Sequence, residues 1–171
     1  MTTVAQPASP TSGDGAPGLL RPAAAVETVQ LGPNAVTFPL RGEETGGRYS
    51  LTHFVMAPPP NPGPPAHIHE DADEAIYVLT GSVRMGIEDE HLTGSAGSLM
   101  FVPRGRLHSI TNVGDDPAAF LVILSPPGYE GFWREMAALR AHLGGPPDEA
   151  ATLALQRKYH LLTAGQPRRF S

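Results

Sequence analysis

The high content of glycine and proline is the feature of this sequence that most limits its fold. Each contributes 19 of the 171 residues, so together they make up roughly a fifth of the chain, against about 12% in an average protein. This composition argues against a helical bundle or a coiled coil, because both residues disfavour helix interiors. It favours either many short strands joined by turns or a disordered segment. The positions of the glycines and prolines along the chain show which segments are expected to form strands and turns and which to be disordered.

The chain divides into segments of different pattern. Residues 1–25 carry several prolines and glycines, two charged side chains and no aromatic residue. Such a segment cannot bury enough apolar surface to offset its ordering entropy, so we expect a flexible N-terminal arm. An arm that docks on a partner subunit is the alternative. Residues 26–125 contain seven or more short strand patterns separated by turn signals, which predicts an all-β antiparallel sandwich or barrel.

Residues 126–171 are expected to form a C-terminal helical extension. Apolar residues from 132 to 143 recur at helical spacing, and Gly144 with the residues after it ends this helix. A second helix is predicted over residues 148–162. We expect Trp133 to pack onto the barrel or onto a dimer partner rather than to bind a ligand.

Charge and hydropathy limit the partners of this chain. The formal net charge is −5, and there is no basic patch to pair with phosphates, so we expect no binding to nucleic acid. Cysteine is absent, which excludes disulfides and thiolate metal sites. The N-terminus lacks the pattern of a signal peptide, and the longest apolar run, 118–124, is far shorter than the ~20 residues of a membrane helix. We therefore expect a cytoplasmic protein without a membrane span.

Three histidines and one glutamate form a candidate metal site. His67 and His69 are two residues apart, so both project from the same face of a strand. Glu74 follows five residues after His69, and a bend in the charged segment between them is needed to bring it to the same side. With His108, these residues would offer three imidazoles and one carboxylate to a divalent transition metal: iron, nickel, cobalt, copper, manganese or zinc. Without further context, a His-x-His pair is more often an exposed pair on a strand.

The residues around these ligands form two motifs. The first reads Gly63-(x3)-His67-Ile68-His69-(x4)-Glu74-(x6)-Gly81. The second reads Gly97-(x5)-Pro103-x-Gly105-(x2)-His108-(x3)-Asn112. In this order they resemble the two motifs of the cupin superfamily, and the second matches at every fixed position. The first departs from the family pattern, because three residues rather than five separate its glycine from the first histidine. Asn61 occupies the usual glycine position.

The resemblance covers roughly residues 35–125. It implies a small double-stranded antiparallel β-barrel, the cupin or jelly-roll fold, with a metal ion inside. By motif position, the metal ligands are His67, His69, Glu74 and His108. Because a carboxylate can also accept a proton, Glu74 is the candidate general base. The resemblance also implies a homodimer, since cupins of this size commonly pair through strands and terminal helices.

The remaining polar positions have simpler interpretations. His53 lies on a predicted strand, where it is a surface or interior histidine unless its face points toward the substrate. His91, His142 and His160 show no pattern of partners, and we expect them at the surface. Asn112 is expected to cap a turn rather than to bind a metal.

The residues after the last strand indicate which class of reaction to expect. The segment 124–132, followed by a helix, is similar to single-domain bacterial cupins grouped with quercetin 2,3-dioxygenase. This resemblance implies a dioxygenase that uses dioxygen on a flavonol-like, polyphenolic or other aromatic substrate, with Glu74 taking the proton of its hydroxyl group. A zinc-dependent polyketide cyclase or isomerase on the same barrel is the alternative. A cupin that binds a small molecule without catalysis is the third interpretation.

Overall fold

The computed structural model describes residues 18–61 and 63–164. These ranges contain eleven strands: β1 (Thr28–Leu31), β2 (Asn34–Leu40), β3 (Ser50–Met56), β4 (His67–His69), β5 (Asp73–Thr80), β6 (Ser82–Ile87), β7 (Glu90–Ser95), β8 (Leu99–Val102), β9 (His108–Asn112), β10 (Ala118–Ser125) and β11 (Leu161–Thr163). They also contain the helices α1 (Glu130–Leu143) and α2 (Glu149–Lys158). Residues 1–17, most of the expected N-terminal arm, lie outside the described residues.

The strands form two antiparallel sheets that pack face to face. The first sheet has the order β1-β2-β3-β10-β5-β8, and the second has the order β11-β4-β9-β6-β7. The core between them consists of buried apolar side chains from both sheets, among them Met56, Ile76, Val78, Val83, Met85, Met100, Ile110 and Phe120. The antiparallel all-β fold with C-terminal helices predicted from the sequence is therefore confirmed.

Strand β3 shows which of its faces turns inward. Thr52, Phe54 and Met56 line the interior, and side chains alternate between the two faces of a strand. His53 therefore lies on the outer face of the first sheet, away from the other histidines. Its alternative role near the substrate is excluded by this register.

Two glycines hold the tight turns that the motifs predicted. Gly81, between β5 and β6, has a φ of +83°. A Cβ atom at this position would lie 2.7 Å from the Cα atom of Ala118. Gly105 has a φ of +78° in the turn before β9. Both positions use the left-handed conformation that glycine adopts without steric penalty.

The second predicted helix, over residues 148–162, is too long. Helix α2 ends at Lys158, and the chain turns at His160, which has a φ of +53°. Residues Leu161–Thr163 then form β11, which pairs with β4. His160, expected at the surface, is half-buried, and its Nδ1 atom contacts the carboxylate of Asp71. Leu161 and Leu162 continue the helical spacing of α2, which is why the sequence pattern extended the helix through them.

Polar contacts join the helices to the first sheet and to each other. The Arg134 guanidinium donates two hydrogen bonds of 2.8 Å to the Glu27 carboxylate, which joins α1 to the segment before β1. Lys158 and Tyr159 both donate to Glu135, which joins α2 to α1. In the part of the chain that the structure describes, neither helix has the length and apolar character needed to cross a bilayer.

Candidate metal centre

The four predicted ligands come from three strands in two sheets. His67 and His69 lie on β4, and His108 lies opposite His67 on the neighbouring β9. Residues 70–72 carry the chain from the second sheet to the first. Glu74, on β5, therefore faces the histidines across the interior, and this crossing is the bend that the spacing required. The donor atoms of His67, His69, Glu74 and His108 all lie within 4.8 Å of one another.

Backbone carbonyl groups orient two of the imidazoles. The Nδ1 atom of His67 lies 3.0 Å from the carbonyl oxygen of Pro65. The Nδ1 atom of His108 lies 3.0 Å from the carbonyl oxygen of Arg106. When each Nδ1 atom carries the proton and donates it to the carbonyl, the Nε2 lone pair is left free for a ligand. Metal-binding histidines usually have this second hydrogen bond.

The polar atoms at the centre of the cluster lack ordinary partners. The Oε2 atom of Glu74 lies 2.7 Å from Nε2 of His108 and 3.3 Å from Nε2 of His69. Despite these short distances, Oε2 of Glu74 and Nε2 of His108 are buried without a properly oriented hydrogen bond. Donor atoms that converge on one point, rather than on each other, are typical of metal ligands.

The donor set fits a transition metal ion. Ligands that each lie about 2.1 Å from one ion are at most ~4.2 Å apart, so a small inward adjustment brings all four into contact with it. Three imidazoles and one carboxylate suit the borderline divalent metals. Glu74 and His108 are buried, with 5% and 2% of their surface exposed. The fold therefore brings these four residues together as the sequence predicts. The donor set suits several divalent metals.

The electrostatics of the cluster depend on burial and on close charges. Burial, followed by repulsion from His69 and His108, lowers the pKa of His67 to about 3. Burial opposes ionisation of Glu74, but the attraction of His69 and His108 outweighs it and lowers the pKa of this carboxyl. The Glu74 side chain is therefore an ionised carboxylate beside a neutral His67 imidazole. Ligands must be in these protonation states to bind a divalent metal.

The site opens into an apolar cavity. A space of about 30 Å³ lies directly against His67, His69 and Glu74, which is room for one ion or one water molecule. A larger cavity of about 210 Å³ lies beside it, between the sheets and the helices. The two spaces share the side chains of Phe54, Met56, Pro64, His67 and Trp133.

The helices contribute cavity residues that the sequence analysis missed. Trp133 packs edge-on against Phe54 and Phe132, with ring centroids 5.1 and 4.8 Å apart. It packs onto the sheets as expected, but it also lines both spaces. Arg140 and Gln156 line the larger cavity as well. The helical periodicity of this region showed an apolar face, but it contained no signal that the face covers a cavity.

Asn112 has the structural role that its position in the second motif predicted. Its Nδ2 atom donates to the carbonyl oxygens of Met56 and Asp116, and its Oδ1 atom accepts from the backbone N–H of Gly114. The side chain is fully buried and caps the turn between β9 and β10. All three hydrogen bonds of this amide are made with backbone groups, so Asn112 is not a metal ligand.

Comparison with known proteins agrees with the two motifs and the fold. The cupin domain family matches residues 54–124, which include all four candidate ligands. The matched segment, residues 54–124, is a cupin domain. Among solved structures, this chain is similar to KdgF from Halomonas sp., with a TM-score of 0.57 and 16% identity over 67% of this chain and 99% of that one. It is also similar to the polyketide cyclase RemF from Streptomyces resistomycificus, with a TM-score of 0.52 and 23% identity over 63% of this chain and 80% of that one.

Sequence comparison finds a further relative. The chain is 30% identical over 76 residues to the tetracenomycin polyketide synthase protein TcmJ of Streptomyces glaucescens, a match that covers 44% of this chain and 50% of that protein. This chain spans half or less of the length of the curated relatives that it matches. None of the three relatives named here is a quercetin dioxygenase, so the expected quercetinase-like subgroup stays a prediction.

Proposed function

We propose that this cupin is a metal-dependent enzyme that acts on an aromatic or polyketide-like small molecule. The observation that carries the proposal is that the donor cluster borders a small space, and that this space shares part of its wall with an apolar cavity lined by aromatic side chains. A buried donor cluster that opens into such a cavity joins a reactive centre to a binding space. A purely structural metal would need no adjoining cavity.

The roles of the residues follow from their positions. His67, His69, Glu74 and His108 would hold the metal, which when bound supplies a Lewis acid for a substrate oxygen. Glu74 is an ionised carboxylate that lines the small space beside the cavity, so we propose that it accepts a proton from the bound substrate. Phe54 and Trp133 would hold the substrate rings and exclude water from the donor cluster.

Cyclisation is the reaction that we propose first. The match to the polyketide synthase protein TcmJ supports a polyketide-like substrate. The cyclase RemF supports only the statement that such a reaction takes place on this fold, because its identity is 23%. In an aldol closure, a base removes a proton beside one carbonyl group and the new carbon–carbon bond forms at another. Glu74 and the metal site are suited to these two tasks.

Dioxygenation is the second candidate. The observation that favours it is the donor set, because three imidazoles and one carboxylate suit redox-active metals such as iron and nickel as well as zinc. Four protein ligands also leave a coordination position free on a five- or six-coordinate metal. We keep the flavonol-like or polyphenolic substrate of the sequence analysis for this alternative.

Metal analysis and two product assays test the proposal. The purified chain should contain about one divalent metal ion per protein, measured by elemental analysis. A linear poly-β-ketone should lose one water molecule for each ring closed, followed by mass spectrometry, and flavonols should be tested in parallel for dioxygen uptake. Ring closure without dioxygen uptake supports the cyclase, and uptake with a redox metal supports the dioxygenase. Neither activity with any of the six metals would contradict the proposal of an enzyme and favour a binding protein.

Variants of two ligands test the assigned roles. His67→Ala should abolish metal binding, whereas the matched control His53→Ala, on the outer face of the same protein, should keep it. Glu74→Gln should lower turnover about 100-fold or more if the carboxylate is the base, while the metal content falls by less than about twofold. Equal losses of turnover and metal would show that Glu74 is a ligand without a separate proton-transfer role. Full metal content in His67→Ala would contradict the site.

The expected homodimer also remains a proposal. Apolar side chains are exposed side by side on the outer face of the first sheet, at Tyr77, Leu99, Phe101 and Ile123. We propose this face as the surface that a second copy of the chain would cover, because a two-fold pair brings the same patch together from both copies.

A further inference from the structure

Two polar side chains line the larger cavity, and the proposed reaction does not explain why they are there. Its walls are formed mainly by apolar side chains, including Phe54, Phe132 and Trp133. Arg140 from α1 and Gln156 from α2 line the same space. The wall of this cavity contains no aspartate or glutamate among the described residues. It therefore presents one positive charge, from Arg140, and an amide group, from Gln156, that can both donate and accept hydrogen bonds.

Gln156 is buried without the partners that a buried amide needs. Only 6% of its surface is exposed, and its Oε1 atom has no hydrogen-bond partner among the described residues. Leaving a buried polar group without a hydrogen bond destabilises the fold. A leucine of similar size would fill the position without that penalty. A glutamine here is explained if a bound molecule supplies the missing hydrogen bond.

Arg140 is a cation without a carboxylate partner. Within residues 18–61 and 63–164, its guanidinium takes part in no ion pair. By contrast, Arg134 on the same helix is paired with Glu27. The guanidinium of Arg140 lies against Gly32, where a Cβ atom would be only 2.8 Å from Nη2. The β1–β2 turn therefore provides the space in which this side chain sits at the cavity wall.

The spacing along α1 sets the distance between the two ends of the cavity. Trp133 lines the small space at the donor cluster, and Met136 and Arg140 follow it on one side of the helix. Seven residues of α-helix span roughly 10 Å. A ligand that reaches from the histidines to Arg140 is therefore about as long as two fused aromatic rings with a substituent.

We propose that Arg140 and Gln156 are specificity-determining residues, and that they bind a carboxylate at the end of the substrate remote from the metal site. This inference rests on the proposed function and names its substrate class: an aromatic or polyketide-like carboxylic acid. The guanidinium of Arg140 donates to the carboxylate, since arginine matches that group with two parallel hydrogen bonds. The Gln156 side chain completes the contact with its amide N–H group, and its oxygen accepts from a hydroxyl group or water beside the acid.

Calorimetric titration with two matched probes tests the inference. The probes are 2-naphthoate and the neutral 2-naphthalenemethanol, which share the ring system and differ in the acid group. Titrations use the full chain both metal-loaded and after metal removal, because a carboxylate can also bind the metal. The chain should prefer 2-naphthoate in both preparations. Equal affinity for the two probes in the metal-free chain would overturn the inference.

Variants identify the residues responsible. Arg140→Met should weaken binding of 2-naphthoate about tenfold or more and change binding of the alcohol by less than about twofold. Arg157→Met removes the same charge from an exposed position on α2 and should leave both affinities unchanged. Unchanged naphthoate binding in Arg140→Met, or equal losses in the two arginine variants, would overturn the role of Arg140.

Gln156→Leu separates recognition from folding. It should weaken binding of 2-naphthoate while the melting temperature stays the same or rises, because a buried unsatisfied oxygen is removed. A fall in melting temperature with unchanged binding would show that Gln156 has only a structural role. Failure of the proposed function can be distinguished from failure of this inference. In that case the chain would lack metal or turnover, while the metal-free chain would still bind 2-naphthoate through Arg140.

Discussion

Replacing Asn112 by alanine should destabilise the fold without removing the metal site. The side chain makes hydrogen bonds of 3.1 Å to Met56 O, 2.8 Å to Asp116 O and 2.9 Å to Gly114 N. These three contacts hold the end of β3, the end of β9 and the turn after β9 together. Because Asn112 is the last fixed position of the second motif, its substitution separates a scaffold role from a ligand role.

The expected loss can be worked out from these contacts. Each hydrogen bond contributes about 1 kcal/mol net, and Met56 O is left in a buried region that water does not easily reach. We therefore expect the Asn112→Ala variant to lose about 3 kcal/mol of unfolding free energy. For a domain of this size, each kcal/mol corresponds to roughly 2–4 °C in melting temperature, so the melting temperature should fall by about 6–12 °C.

Urea unfolding followed by the fluorescence of Trp133, the one tryptophan of the chain, measures this loss. The neighbouring variant Val113→Ala is the control, because Val113 is 37% exposed and should lose less than about 1 kcal/mol. Metal content should stay at the wild-type level in both variants. A loss below 1 kcal/mol in Asn112→Ala, or a loss of metal at unchanged stability, would refute the capping role.

Two further predictions concern the turn at Gly81 and the ion pair at Glu27. In chemical unfolding, Gly81→Ala should lose about 1–3 kcal/mol more unfolding free energy than the control Gly97→Ala. Both glycines have a positive φ, but only at Gly81 would the new Cβ atom meet the Ala118 backbone. Equal losses in the two variants would contradict this prediction. The Arg134 hydrogen bonds hold the pKa of Glu27 below its usual range. The stability that this ion pair contributes is therefore fully present above the ordinary pKa of about 4.3, and it is lost as the pH falls through the lower pKa that Glu27 has in the folded protein. Because the pair is exposed, Glu27→Gln should lose less than about 1 kcal/mol of unfolding free energy at pH 7. The difference in melting temperature between this variant and the wild type should shrink at pH 3. A difference that does not change with pH would contradict this prediction.

The sequence predicted those parts of the fold whose residues carry a local signal. Positive-φ turns require glycine at Gly81 and Gly105, and the even spacing of His67 and His69 places both on one face of a strand. Strand β7 carries no such local signal, because most of its positions are exposed and polar and its residues show no alternation of apolar and polar side chains. Strand β11 was missed because Leu161 and Leu162 also fit the period of the preceding helix. A pattern within one segment cannot show which partner segment will pair with it.

The cavity was beyond prediction for a different reason. It lies between the sheets and two helices, so its volume depends on how elements distant in the chain pack together. Apolar periodicity showed that one face of α1 is buried, but not that space remains beneath it. Arg140 and Gln156 look like ordinary helix residues in the sequence. Only their place on the cavity wall and their missing partners set them apart.

The pairing of β11 with β4 makes the histidine strand depend on residues nearly a hundred positions away. Leu161 lies opposite His69, and Thr163 lies opposite His67. Without this pairing, β4 would be an edge strand with free N–H and C=O groups beside two of the donor side chains. Cutting or replacing the segment after α2 would therefore change metal affinity as well as stability. An engineer who wishes to exchange the helices over the cavity must keep β11 with them, because the helices that cover the cavity and the strand that supports the candidate metal site are one continuous piece of chain.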